Sequence, residues 1–94
     1  MAKSPVAKTA VPFVMLRQMM LDLGFNEVVV PKSHLGFYHA DSGAEILLPI
    51  YRANQTVAPR HLLLVRVTLD GKGLMEGNQF DQSIASSMVR HDAS

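Results

Sequence analysis

The stretch that decides the fold is Thr56 to Leu74, "TVAPRHLLLVRVTLDGKGL". Read one way it is a strand, because "LLLVRVTL" carries β-branched residues and "DGKG" would follow it as a hairpin turn. Read the other way it is a helix. Pro59 suits the first helical position, where its missing N–H has no partner to lose. Leu62, Val65 and Leu69 recur at helical spacing, and Gly73 followed by Leu74 has the form of a helix exit with its hydrophobic contact. The helical signals are the more numerous, and a fourth strand is the alternative.

Working outward toward the N-terminus, "HLGFYHA" (34–40) and "AEILLPI" (44–50) flank "DSG", a turn tripeptide whose glycine is available for a positive φ, and together they read as a hairpin. "NEVVV" (26–30), with three consecutive valines ending at Pro31, reads as a short strand before it. In the middle strand alternation sends His34, Gly36, Tyr38 and Ala40 to one face and Leu35, Phe37 and His39 to the other. Leu35 and Phe37 mark the core side, so His34 and Tyr38 face outward and His39 is not their partner. Upstream, Phe13, Leu16, Met20 and Leu23 recur at helical spacing from Pro12 onward, and Gly24 supplies the stop. Met15, Met19 and Met20 on this helix read as core filling. Beyond Leu74, "FDQSIASSMV" predicts a last short helix with Phe80, Ile84 and Met88 on one stripe, followed by frayed residues.

The predicted organisation is a flexible segment over 1–11, an ordered domain over 12–75, and an extension over 76–94 that is partly helical. At 94 residues the chain has room for one core, and its 48% hydrophobic and 18% charged residues argue for a folded domain. With no cysteine, neither a disulfide framework nor a thiolate metal site is available. His34, His39 and Asp41 do not make a metal site, because alternation separates the two histidines. No phosphate loop or nucleotide fingerprint is present, and no cofactor is expected. Arg17 and Asp22 interrupt the N-terminal apolar stretch, which is too short and too charged to span a bilayer, so no membrane association and a cytoplasmic location are expected. The net charge of +1 does not by itself predict nucleic-acid binding. Its placement is uneven: Arg52, Arg60, Arg66 and Lys72 stand against Asp70 alone, whereas Glu76, Asp81 and Asp92 follow against Arg90.

A helix ending in "DLGF", three short strands and a helix ending in Gly-Leu give the order α-β-β-β-α, an α+β domain with a three-stranded antiparallel sheet packed by two helices. Over about residues 12 to 75 this resembles the HicA-like toxins of bacterial toxin-antitoxin systems, whose small fold is similar to double-stranded RNA-binding domains. "LDLGF" looks like the end of that family's first helix, "KSHLGFYHADSGAEILLPIY" like its Gly-Ser-His strand and the strand after it, and "VAPRHLLLVRVTLDGKGL" like its closing helix. The resemblance favours the helix over the fourth strand.

The resemblance implies mRNA cleavage as the activity, with His34 as the catalytic residue, RNA as one partner and a HicB-like antitoxin covering the His34 face as another. Imidazole, with an ordinary pKa of roughly 6.5, serves as base or acid near neutral pH, and a cation beside the phosphate stabilises the transition state. Lys32 and Ser33 next to His34, Tyr38 as a stacking ring, and Arg60 and Arg66 on the closing helix are the candidate RNA contacts. Lys32 stands where the family carries glycine. His61 and His91 read as ordinary surface residues. Two other readings use the same residues: a non-catalytic RNA-binding module, and a protein-interaction domain whose apolar surface meets a partner or a second copy of the chain.

Overall fold

Alternation along one strand sets the layering of this molecule. The computed structural model describes residues 10–30 and 34–93, the stretch 88–93 by its backbone alone. Helix α1 (Phe13–Asp22) is followed by β1 (Asn26–Val30), β2 (His34–His39), β3 (Ala44–Leu48), α2 (Pro59–Gly71) and α3 (Gly77–Ala93). The strands form one antiparallel sheet in the order β1-β2-β3. Leu35, Phe37 and His39 of β2 are buried, and Phe37 and His39 stand opposite Ile46 and Ala44 of β3, both buried as well. These residues meet Phe13, Leu16 and Met20 of α1, Leu62, Val65 and Leu69 of α2, and Phe80 and Ile84 of α3 in one apolar cluster. The helices thus cover one face of the sheet. The stretch 59–71 is the expected helix, with Pro59 at its start.

Both helix-to-strand and helix-to-helix exits use the same device. At the end of α1 the Phe25 N–H donates to the Met20 carbonyl at 3.0 Å and the Gly24 N–H to the Leu21 carbonyl at 3.0 Å. At the end of α2 the Leu74 N–H reaches the Leu69 carbonyl at 2.9 Å and the Gly73 N–H the Asp70 carbonyl at 3.1 Å. Both are Schellman motifs, which satisfy carbonyls that a helix end leaves without partners. Each needs a residue at positive φ, supplied by Gly24 at 100° and Gly73 at 70°. The start of α1 is closed by backbone from far along the chain. Phe13 and Val14 donate to the carbonyls of Gln55 and Ala53, and Val57 donates to the carbonyl of Val11. Val11, which the sequence reading leaves in the leading segment, is therefore fully buried.

His39 fastens the end of α1 to the hairpin. Its Nδ1 accepts from the Ser42 N–H at 3.2 Å and lies 2.9 Å from Ser42 Oγ, while Nε2 lies 3.1 Å from the Leu23 carbonyl. With Nδ1 accepting, the ring proton sits on Nε2 and is donated to Leu23. Ser42 Oγ in turn accepts from the Ala44 N–H, and the Phe25 ring lies 5.1 Å from the imidazole. His39 is a structural residue on the face away from His34, as alternation predicts.

The third helix runs to Ala93, longer than the short helix with frayed residues that the sequence suggests. No glycine or proline follows Gly77 to end it, and Phe80 and Ile84 anchor its first half in the core. The stripe position Met88 has its side chain outside the described residues.

The two Schellman glycines generate a prediction. A Cβ on Gly24 would come 3.4 Å from His39 Nε2, whereas one on Gly73 would meet nothing within 4 Å. Each glycine-to-alanine change forces a residue into the left-handed region, at about 1–3 kcal/mol. Urea unfolding should show Gly24→Ala costing more than Gly73→Ala; equal losses would mean that the His39 latch contributes nothing at this junction.

Candidate functional site

The face of the sheet away from the helices is open. Its rows are read from the register: Val30 beside His34, then Val28, Gly36 and Leu47 across all three strands, then Asn26, Tyr38 and Glu45. Val28 is 54% exposed, Leu47 52% and Tyr38 45%. An antiparallel sheet with one solvated face ordinarily carries polar residues there, so a central row of valine, glycine and leucine is the exception. His34 is half-buried and opens β2 at one end of this face.

His34 and Tyr38 share the face, as expected, but they are four residues apart and stand roughly 13 Å from each other along the strand. Both cannot contact one phosphate. Of the strand residues on this face the other titratable groups are Tyr38 and Glu45, which lie together at the end remote from His34. Lys32 and Ser33 lie outside the described residues.

The two arginines of the closing helix have different surroundings. Arg60 is exposed in the first turn of α2, on the helix layer. Arg66 donates from Nε and NH2 to the two carboxylate oxygens of Asp81 on α3, at 3.0 and 3.1 Å. That forked pair, with the Asp70 charge adding to it, raises the guanidinium pKa further above its ordinary value. Gly77 gives the guanidinium room, since a Cβ there would fall 2.7 Å from Arg66 Cζ. Arg66 therefore pins α3 to α2, and its hydrogen-bonding groups are turned toward Asp81. Arg17 is engaged in the same way by Glu27, from Nε at 2.9 and 3.0 Å, which ties α1 to β1.

A second polar cluster, which sequence reasoning missed, sits where β3 leaves the sheet and α2 begins. The Tyr51 hydroxyl accepts from the Ala58 N–H at 2.9 Å and is hydrogen-bonded to His61 Nδ1 at 2.6 Å. The Tyr51 ring stacks on Phe13 at 5.4 Å, so α1, the exit from the sheet and α2 are fastened at one point. His61 is half-buried instead of lying free on the surface, and burial, then the Arg60 charge, lowers its pKa. A Tyr-to-His separation of ten residues across an irregular loop leaves no periodic signal, and only the proline marking the helix start hinted that residues 59–61 were held.

Comparison of the chain with protein-family models, curated proteins and solved structures found no match. Among the described residues no group of three or more His, Cys, Asp or Glu side chains is placed to hold a metal ion, and no helix is long and apolar enough to cross a membrane. An open groove of about 580 Å³ between α1 and α3 is lined by Met15, Met19, Asp22, Gln79, Gln82 and Ser83 among others, with Asp22 the one carboxylate among amides, hydroxyls and thioethers.

The Tyr51–His61 pair predicts a pH dependence of stability. Because the folded state lowers the His61 pKa, the unfolded chain binds the proton more readily. The contribution is fully present above about pH 6.5 and declines as pH falls below it toward the lower folded value. Thermal melts across this range should show a steeper loss of Tm in the wild type than in His61→Gln, and parallel curves would remove His61 from the pH response.

Proposed function

We propose that the chain is an RNA-directed module of the HicA-like kind, an mRNA-cleaving toxin or a degenerate relative of one, whose open sheet face is held by a HicB-like protein partner. The observation that carries this reading is the position of His34 on the uncovered face, in line with a row of exposed apolar side chains. A face that presents an imidazole beside Val28, Val30 and Leu47 offers one group for chemistry and a surface that gains by being covered. The strand order and the helix over 59–71 are those the resemblance implies.

In this reading the His34 imidazole takes the proton of a ribose 2′-hydroxyl, the 2′-oxygen attacks the adjacent phosphorus, and the bond to the 5′-oxygen breaks. A general acid returns a proton to that 5′-oxygen, leaving a 2′,3′-cyclic phosphate and a 5′-hydroxyl. Lys32, two positions before His34 in the chain, supplies positive charge to the phosphate, whereas Arg60 lies on the helix layer away from His34, and Tyr38 stacks on a base farther along the strand.

A second reading, a protein-interaction domain without RNA chemistry, is favoured by one observation. Arg17 and Arg66 are both taken up by carboxylates, so the described surface is richer in uncovered apolar side chains than in available cations.

Incubation of the purified protein and of His34→Ala with a long single-stranded RNA, in the presence of a chelator, separates the two. Cleavage by the wild type to products ending in 2′,3′-cyclic phosphate, with loss of at least about a hundredfold in the variant, is the expected result. Equal cleavage by both would remove His34 from the mechanism. No cleavage and no salt-sensitive RNA binding by folded wild type would leave the interaction domain as the reading.

A further inference from the structure

Strand β1 is uncovered in an unusual way. It pairs with β2 alone, so along its other edge the backbone N–H and C=O groups have no ladder partner among the described strands. Val28 and Val30 project from the open face. Val29 projects from the helix side and is nonetheless 57% exposed, at the rim of a groove of about 330 Å³ lined by Phe13, Val14, Ile50 and Tyr51. Valines are thus exposed on both faces of a strand whose edge is also open. Proteins ordinarily blunt such an edge with charges, prolines or a bulge. Within Asn26–Val30 the one charge is Glu27, which is neutralised by Arg17.

We propose that β1 is the pairing edge of a homodimer. A second copy adds its own β1 antiparallel to the first across a two-fold axis near Val29, joining two three-stranded sheets into one of six strands. The open edge calls for a strand as its occupant, because only another extended backbone satisfies a row of alternating donors and acceptors. Three features select a second copy as the source of that strand. Antiparallel pairing of a strand with itself closes on two-fold symmetry and stops at two chains along this edge, since each copy spends its β1 edge. The strand suits itself: a two-fold at Val29 sets Val28 opposite Val30 of the other copy on the open face and brings the two Val29 side chains and their grooves together on the helix side. The patch also carries no unneutralised charge that would select an oppositely charged partner, and a net charge of +1 leaves little repulsion between copies. This inference does not rest on the proposed activity, since the pairing edge of β1 is the one turned away from β2 and His34; a dimer that cleaves no RNA would leave it standing.

The test is the mass of the full chain in solution by sedimentation, from the micromolar to the millimolar range, alongside three variants. Val29→Lys puts an ammonium on a stem at the exposed rim, and Val28→Lys does the same on the open face, so that one serves if the other fails to fold. Leu63→Lys charges a different exposed apolar position, on α2. A dimer is expected for the wild type and for Leu63→Lys, with a dimer dissociation constant at least about tenfold higher in whichever β1 variants keep the wild-type melting curve. Amide exchange along residues 26–30 should slow as concentration rises. A monomer throughout the range overturns the proposal. So do a dimer broken by Leu63→Lys and untouched at β1, and open-ended assemblies in place of a dimer.

Discussion

Leu35, Phe37 and His39 must all be buried, and because strand residues alternate, that single requirement puts His34, Gly36 and Tyr38 on the other side. The constraint passes outward through the register. Phe37 opposite Ile46 and His39 opposite Ala44 place β3 with Leu47 outward, and Leu35 opposite Val29 places β1 with Val28 and Val30 outward. A slip of one residue would turn Phe37 into solvent, so the register is held by the core and not by the turn alone. The apolar character of the open face has no such excuse. Nothing in the packing of the core demands valine at 28 or leucine at 47, and their presence there is the feature that a functional account has to answer.

The charged residues divide into those that assemble the fold and those that remain available, and the division matters more than the net charge. Arg17 with Glu27 joins α1 to β1, and Arg66 with Asp81 joins α2 to α3. Both pairs link neighbouring elements of the layer, and each is partly exposed, so their value lies more in fixing the angle between elements than in bulk stability. Composition counts Arg66 as part of a basic helix. Geometry assigns it to an inter-helix clamp, with Gly77 as the space into which the guanidinium fits. Arg60 keeps its exposure, and its charge also bears on the neighbouring His61.

Much of the fold was legible because its signals are local. Pro59 at the start of α2, the Gly24 and Gly73 exits, the DSG turn and the alternation in β2 each act within a few residues, where steric and hydrogen-bonding rules are strongest. The placement of His34 and His39 on opposite faces followed from the same alternation. What was not legible depends on elements meeting in space. The Tyr51–His61 bond and the Arg66–Asp81 fork join residues ten and fifteen positions apart through the packing of helices. The backbone bonds that bury Val11 reach from residue 57. "NEVVV" reads correctly as a strand, but its place at the sheet edge with all three valines exposed depends on which strands flank it and has no local signal.

A domain of this size buries a smaller share of its surface than a larger one, and each valine left in water forgoes stabilisation that the chain can ill spare. The core is served by all three helices, yet they serve one face of a sheet that has two, and α1 leaves Val29 of the edge strand exposed. Covering the open face would add apolar burial around Val28 and Leu47, and pairing β1 would add a ladder of backbone hydrogen bonds as well. The two gains fall on different surfaces, so one partner on the face and one along the edge can be accommodated together. In the proposed assembly the unit would be more stable than in isolation, and His34 lies on the face that the proposed partner would cover.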